Sequence, residues 1–149
     1  MKRTVVICSS AHFYEHVAAI ADQLQARGTR AIIPKSARAM KQAGDFTVRK
    51  TWYDNADDYS KKADLMRTHF DEITEGDAIL VVNDAKHGVD GYIGPNVLME
   101  MSLAWYLRKP IYMLNKLPAG SPFEEELKGM SPIILNGNLD NLLSPHPKL

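Results

Sequence analysis

A chain of 149 residues is the size of one domain, with enough apolar residues to build a core without staples. Its 18 Lys and Arg balance its 18 Asp and Glu, so no global charge recruits a nucleic-acid polymer or an anionic membrane. One cysteine, Cys8, excludes an internal disulfide and suits a reducing, cytoplasmic setting. The apolar run after Lys2 and Arg3 is too short for a signal peptide, and no run approaches the roughly 20 apolar residues of a membrane span.

Residues 4–8 (TVVIC) are a β-branched run ending in Ser9 and Ser10, which predicts a buried strand opening into a loop. A helix follows over about 12–27, with Phe13, Val17, Ile20, Ala21 and Leu24 on one face and Gly28 as its stop. Residues 30–33 form a second short strand closed by Pro34.

From 35 to 55 no period is sustained. Between 35 and 50 five basic residues (Lys35, Arg38, Lys41, Arg49, Lys50) meet one acid, Asp45. The stretch reads either as a solvated loop with a turn of helix or as a mobile flap whose cations meet a phosphate-bearing ligand. Trp52 and Tyr53 then either stack on a base or anchor the loop to the core.

Residues 56–75 return to helix, with Tyr59, Ala63, Met66, Phe70 and Ile73 at three- and four-residue spacing and Gly76 at its end. The run 78–82 (AILVV) is continuously apolar, as strands covered on both faces are. A glycine-bearing loop leads into a helix, apolar nearly all round over 97–107, whose one carboxylate, Glu100, falls in the first turn by this reading. Strand 111–114, a short helix over 121–128, strand 132–135 and a tail with a helical stub and a loose end complete the chain. Five short strands alternating with helices predict a single α/β domain over residues 1–149, a Rossmann-like doubly wound sheet of about five parallel strands in flavodoxin-like order. That order sets Ser9 and Ser10 opposite Asn83 and the glycine loop across one crevice.

Within that crevice Glu100 needs a reason. A first-turn glutamate on a surface helix is stabilised by the helix dipole, but an acid in an apolar helix is either hydrogen-bonded or used. His69 is expected near the edge of the buried stripe, beside Met66, Ile73 and Lys62. Cys8 reads as a buried strand thiol, since no activating base is marked in sequence. Gly88, Gly91 and Gly94 follow the third strand and lack a spaced acidic partner, so they do not form a dinucleotide fingerprint. No metal site and no cofactor is expected: His12 and His16 stand at i, i+4 without a third ligand in reach.

The order D-A-I-L-V-V-N, G-Y-I-G-P-N and E-M-S-L-A-W-Y-L-R-K-P-I-Y resembles the nucleoside 2-deoxyribosyltransferase-like superfamily. The elements carrying the resemblance are Asp77, the loop 91–96, Glu100, and the A-x-x-x-x-K-P helix end from Ala104 to Pro110. The likeness spans 4 to about 114 in element order and is specific from 69 to 114. It implies that Glu100 attacks the anomeric carbon of a (deoxy)ribosyl N-glycoside, with water or a second base then collecting the sugar. Where the superfamily has an Asp six residues before the Glu, this chain has Gly94; where it has a further Asp, this chain has His69. The pattern is therefore that of a divergent branch, in which His69 serves as proton donor or orienting group.

The expectation is cleavage or transfer of the N-glycosidic bond of a (deoxy)nucleoside or its 5′-monophosphate, with Glu100 and His69 catalytic. Ser9, Ser10, Asn83, Gly91, Tyr92, Gly94 and Asn96 are expected to hold the substrate. The alternatives are a non-catalytic nucleotide-binding sensor and a purely structural subunit. The apolar outer face Leu98, Met99, Trp105 and Tyr106 leads to an expected homodimer or larger homo-oligomer.

Overall fold

The computed structural model of the protein describes residues 2–144. Its centre is one five-stranded sheet in the order β2-β1-β3-β4-β5, with every neighbouring pair parallel. The strands are β1 (Thr4–Ser9), β2 (Arg30–Ile32), β3 (Ala78–Val82), β4 (Ile111–Met113) and β5 (Ile133–Ile134). The helices are α1 (Tyr14–Ala26), α2 (Lys35–Ala43), α3 (Tyr59–Glu75), α4 (Pro95–Tyr106), α5 (Glu124–Gly129) and α6 (Asp140–Leu143). The doubly wound α/β architecture expected from the strand–helix alternation is the one observed. The loose end expected beyond 144 lies outside the described residues.

Alternation along each strand divides the core into two layers. Val5, Ile7, Leu80 and Val82 face α1 and α6, where Val17, Ile20, Leu24 and Leu142 complete one cluster. Val6, Cys8, Ile79 and Val81 face α3, α4 and α5, where Ile73, Val97, Met101, Ala104 and Leu127 complete the other. Cys8 therefore points toward the layer that carries α3 and α4. Every residue of β3 is buried, as its unbroken apolar run requires between two helical layers.

The chain leaves β1 toward β2 on one side and reaches β3 on the other, so the crevice at the carboxyl ends of β1 and β3 is the switch point of the sheet. Among the described residues no helix is long and apolar enough to cross a membrane.

Several local expectations change. The aperiodic stretch after Pro34 holds a nine-residue helix, α2, capped by Gly44 at φ 66°, and a 3₁₀ turn at Thr51–Tyr53. Its KSARAMKQA sequence favours helix, but Ala37 is its one fully buried residue, so the apolar stripe was too thin to register. α4 starts at Pro95, with Gly94 as N-cap, so Glu100 sits in the second turn. On α3, Ile73 is buried and Met66 and Phe70 are half-buried as expected, but Tyr59 and Ala63 are exposed and His69 is buried. α5 and β5 are shorter than their sequence runs.

Candidate functional site

A cavity of about 390 Å³ opens over the carboxyl ends of β1 and β3. Ser9, Ser10 and Tyr14 form one wall, His69 and Lys62 of α3 another, and Tyr92, Gly94, Asn96 and Glu100 a third. The segment between α2 and α3 closes over it with Arg49, Lys50, Trp52 and Tyr53. Lys35 and Lys86 also line it.

Its floor is acidic and buried. Glu100 is 3% exposed, and its Oε1 accepts a hydrogen bond from Asn96 Nδ2 at 3.2 Å. Its Oε2 is fully enclosed and has no hydrogen-bond partner. His69 Nε2 stands 4.0 Å from Oε1 and 3.6 Å from Cys8 Sγ. The other ring nitrogen, Nδ1, meets Glu72 Oε2 at 3.0 Å, and Glu72 Oε1 is paired with Arg38 Nη2 at 2.7 Å. A carboxylate only accepts, so Nδ1 donates, and the neutral ring then presents Nε2 as an acceptor toward Cys8 and Glu100. Arg38, Glu72 and His69 thus form a chain that fixes the ring and its tautomer.

The charges follow from this enclosure. Burial pushes the Glu100 carboxyl above its ordinary pKa, while His69, the Cys8 thiol and Lys62 pull the other way. Burial also pushes up the Cys8 thiol, aided by Glu100 and Glu72. Tyr14 is raised by burial and then by Glu100 and Cys8. Burial works against Glu72 as well, but hydrogen bonds from His69 and Arg38 overcome it and hold that carboxyl below its usual value. Above the floor, Lys86 donates to Ser10 Oγ at 3.0 Å and lies 5.0 Å from the Tyr92 ring centre. Its ammonium is lowered by desolvation and by Lys50. Lys35 and Lys50 have no acidic partner among the described residues. The rim is thus cationic over an acidic floor, the gradient that orients a ligand with an anionic end.

Seven of the nine expected site residues border this cavity: Ser9, Ser10, His69, Tyr92, Gly94, Asn96 and Glu100. Asn83 and Gly91 do not. Asn83 is fully buried, donating to the Asn115 and Lys116 carbonyls at 3.1 and 3.0 Å and accepting from Asn115 N–H at 2.9 Å. Its amide is spent tying the β3 end to the β4 end. Gly91, at φ 69°, packs against the Lys116 carbonyl where a Cβ would collide. Both are loop clamps, for the physical reason that their polar or vacant side is filled by backbone.

The sequence also hid participants. Glu72 is three residues from His69 on one helix, a spacing that was legible. Arg38 and Cys8 come from other elements and meet the histidine only through the fold. Cys8, His69 and Glu100 each offer a donor atom within 4.8 Å of the other two. Set against known proteins, the chain matches no family model, and no curated protein matches it in sequence.

Proposed function

We propose that the protein cleaves or transfers the N-glycosidic bond of a nucleoside or, preferentially, its 5′-monophosphate, with Glu100 as nucleophile. The observation that carries this reading is a glutamate 3% exposed, bordering a cavity, with one carboxylate oxygen unpartnered. An unpartnered buried oxygen is costly unless it is used, and a carboxylate bordering a cavity suits attack on an oxocarbenium-like carbon. Attack by the Glu100 carboxylate on the anomeric carbon breaks the glycosidic bond and releases the base with its electron pair. Water or a second base then takes the sugar from the ester. His69, 4.0 Å away, pulls the Glu100 carboxyl back toward the ionised form that attack needs.

The cationic rim of Lys35, Lys50 and Lys86 suits a phosphate, and Trp52 and Tyr53 offer ring faces to a base. The resemblance to the nucleoside 2-deoxyribosyltransferase-like superfamily agrees with this chemistry. The free thiol fits a cytoplasmic setting. Met99, Trp105 and Tyr106, exposed by 40%, 56% and 77%, suit a homo-oligomer built through α4.

One observation favours a second reading, a non-catalytic nucleotide-binding domain: burial raises the Glu100 carboxyl toward its neutral form, which does not attack. Free-base release from ribo- and deoxyribonucleosides and their 5′-monophosphates decides between them. The parent protein is expected to release base and Glu100→Gln to lose on the order of a thousandfold or more. A parent that binds nucleotide, by melting-temperature shift, but releases no base refutes the catalytic reading.

A further inference from the structure

The floor of the cavity holds a donor set that the glycosidic chemistry does not use as a set. Cys8 at the end of β1, His69 on α3 and Glu100 on α4 bring a sulfur, an imidazole nitrogen and a carboxylate oxygen to one point. From the arrangement of these three side chains we infer a binding site for a zinc-class divalent cation, with an open fourth position facing the cavity.

The Cys8–His69 distance is that of a ligand pair, and the carboxylate lies within a small movement of the third position. Zinc bonds of about 2.3 Å to sulfur and about 2.0–2.1 Å to nitrogen, at a tetrahedral angle, separate the two donors by roughly 3.6 Å. Cys8 Sγ and His69 Nε2 are 3.6 Å apart. The same arithmetic gives roughly 3.4 Å between nitrogen and a carboxylate oxygen. Glu100 Oε1 is 4.0 Å from Nε2, so a small rotation of the carboxylate closes the set.

Two further observations point to a ligand. Glu100 Oε2 is enclosed without a hydrogen-bond partner, and a cation is one way to satisfy such an oxygen. His69 gives its Nδ1–H to Glu72, which Arg38 holds in turn, and a carboxylate behind the histidine is the usual outer partner of a zinc-bound imidazole. Nε2 is left unprotonated and aimed at the other two donors.

Charge is also balanced. A thiolate and a carboxylate neutralise a divalent cation, so binding leaves the buried cluster without net charge, the Cys8 proton passing to solvent. Lys62, whose charge acts on Glu100, is engaged with Asn96 Oδ1 at 3.2 Å and forms no ion pair with the carboxylate. His69 and Glu100 border the cavity, so the fourth position opens onto it, the arrangement of metal sites that keep a water or ligand position. Metal and sugar compete for the same carboxylate. The consequence for turnover rests on the glycosidic reading above, but the binding does not.

The test uses the full chain and the metal alone. Titration of the metal-free protein with Co²⁺ is expected to saturate at one equivalent, with a thiolate-to-cobalt charge-transfer band and the visible spectrum of a tetrahedral ion. Zn²⁺ should displace it. Cys8→Ser should abolish the charge-transfer band, and Glu100→Gln, which keeps the side-chain volume, should weaken binding at least tenfold. Glu72→Gln should weaken it about ten- to hundredfold by loosening the histidine. His12→Ala/His16→Ala should bind as the parent does. A parent without the thiolate band overturns the inference, as does a band that survives in Cys8→Ser or binding lost with His12 and His16. A chelator-reversible block of base release by Zn²⁺ is the expected kinetic counterpart. Absence of base release in the parent refutes the glycosidic reading and leaves the spectrum to decide the metal.

Discussion

Replacing Asn83 by alanine separates a residue that holds a ligand from one that holds the protein. Asn83 makes no contact with the cavity; its amide joins the β3 end to the segment after β4. Alanine leaves the Asn115 N–H and two backbone carbonyls without a partner. A stranded buried group costs about 1–3 kcal/mol, and these are partly reachable by water, so about 3 kcal/mol in all is the expected loss. At about 2–4 °C per kcal/mol for a chain this size, the melting temperature falls by roughly 6–12 °C. Asn83→Asp should cost as much, because it keeps the acceptor for Asn115 N–H but turns a buried carboxylate on two carbonyls. The assay is calorimetric or fluorescence melting beside nucleotide affinity at a temperature where both proteins are folded. A melting point within about 2 °C of the parent, coupled with lost affinity, would refute the assignment.

Other outcomes follow from the same geometry. Gly91→Ala should cost about 2–4 kcal/mol in denaturant titration, combining a left-handed backbone with a Cβ forced against the Lys116 carbonyl. Gly88→Ala, with positive φ but open space, should cost only about 1 kcal/mol. Trp52→Ala should weaken nucleoside monophosphate binding by about 1–3 kcal/mol, roughly five- to 150-fold by calorimetry, with little change in melting. Asp45 and Asp58 are held below the ordinary carboxylate range, Asp45 by hydrogen bonds from Thr47 and Arg49 and Asp58 by hydrogen bonds from Thr51 and Lys61. Their folded pKa values lie below the unfolded ones, so their stabilisation is complete above about pH 5 and is lost as pH falls. Asp45→Asn/Asp58→Asn should flatten the acid limb of the melting curve.

The exposed rim and the buried floor differ in how far the sequence announced them. Lys35 and Lys50 were visible as a basic excess, and both line the cavity. Arg49 also borders the cavity but is paired with Asp45, while Arg38 is engaged with Glu72 and Lys41 with Asp22. No one-dimensional count could sort them, because the partners of Arg38 and Lys41 sit on other helices. His69 was expected at the edge of a stripe and is buried. A polar side chain is assigned outward by pattern, but Glu72 on its own helix satisfies it and makes burial affordable.

By itself the chain determined the alternation of apolar strands and amphipathic helices, and with it the parallel sheet and the crevice where β1 and β3 end. Those features rest on local periodicity and on the near-invariant handedness of strand–helix–strand connections, so they are written in short windows of sequence. Glu100 was legible for the same reason, as one acid in an apolar helix. Only the tertiary structure decided that Asn83 and Gly91 clamp backbone, that Arg38 orients a histidine through Glu72, and that Cys8 shares a point with His69 and Glu100. Residues 8, 69 and 100 belong to three elements that meet only because β1 lies under both α3 and α4. Contacts of that kind depend on the register of layers, which no spacing along the chain encodes.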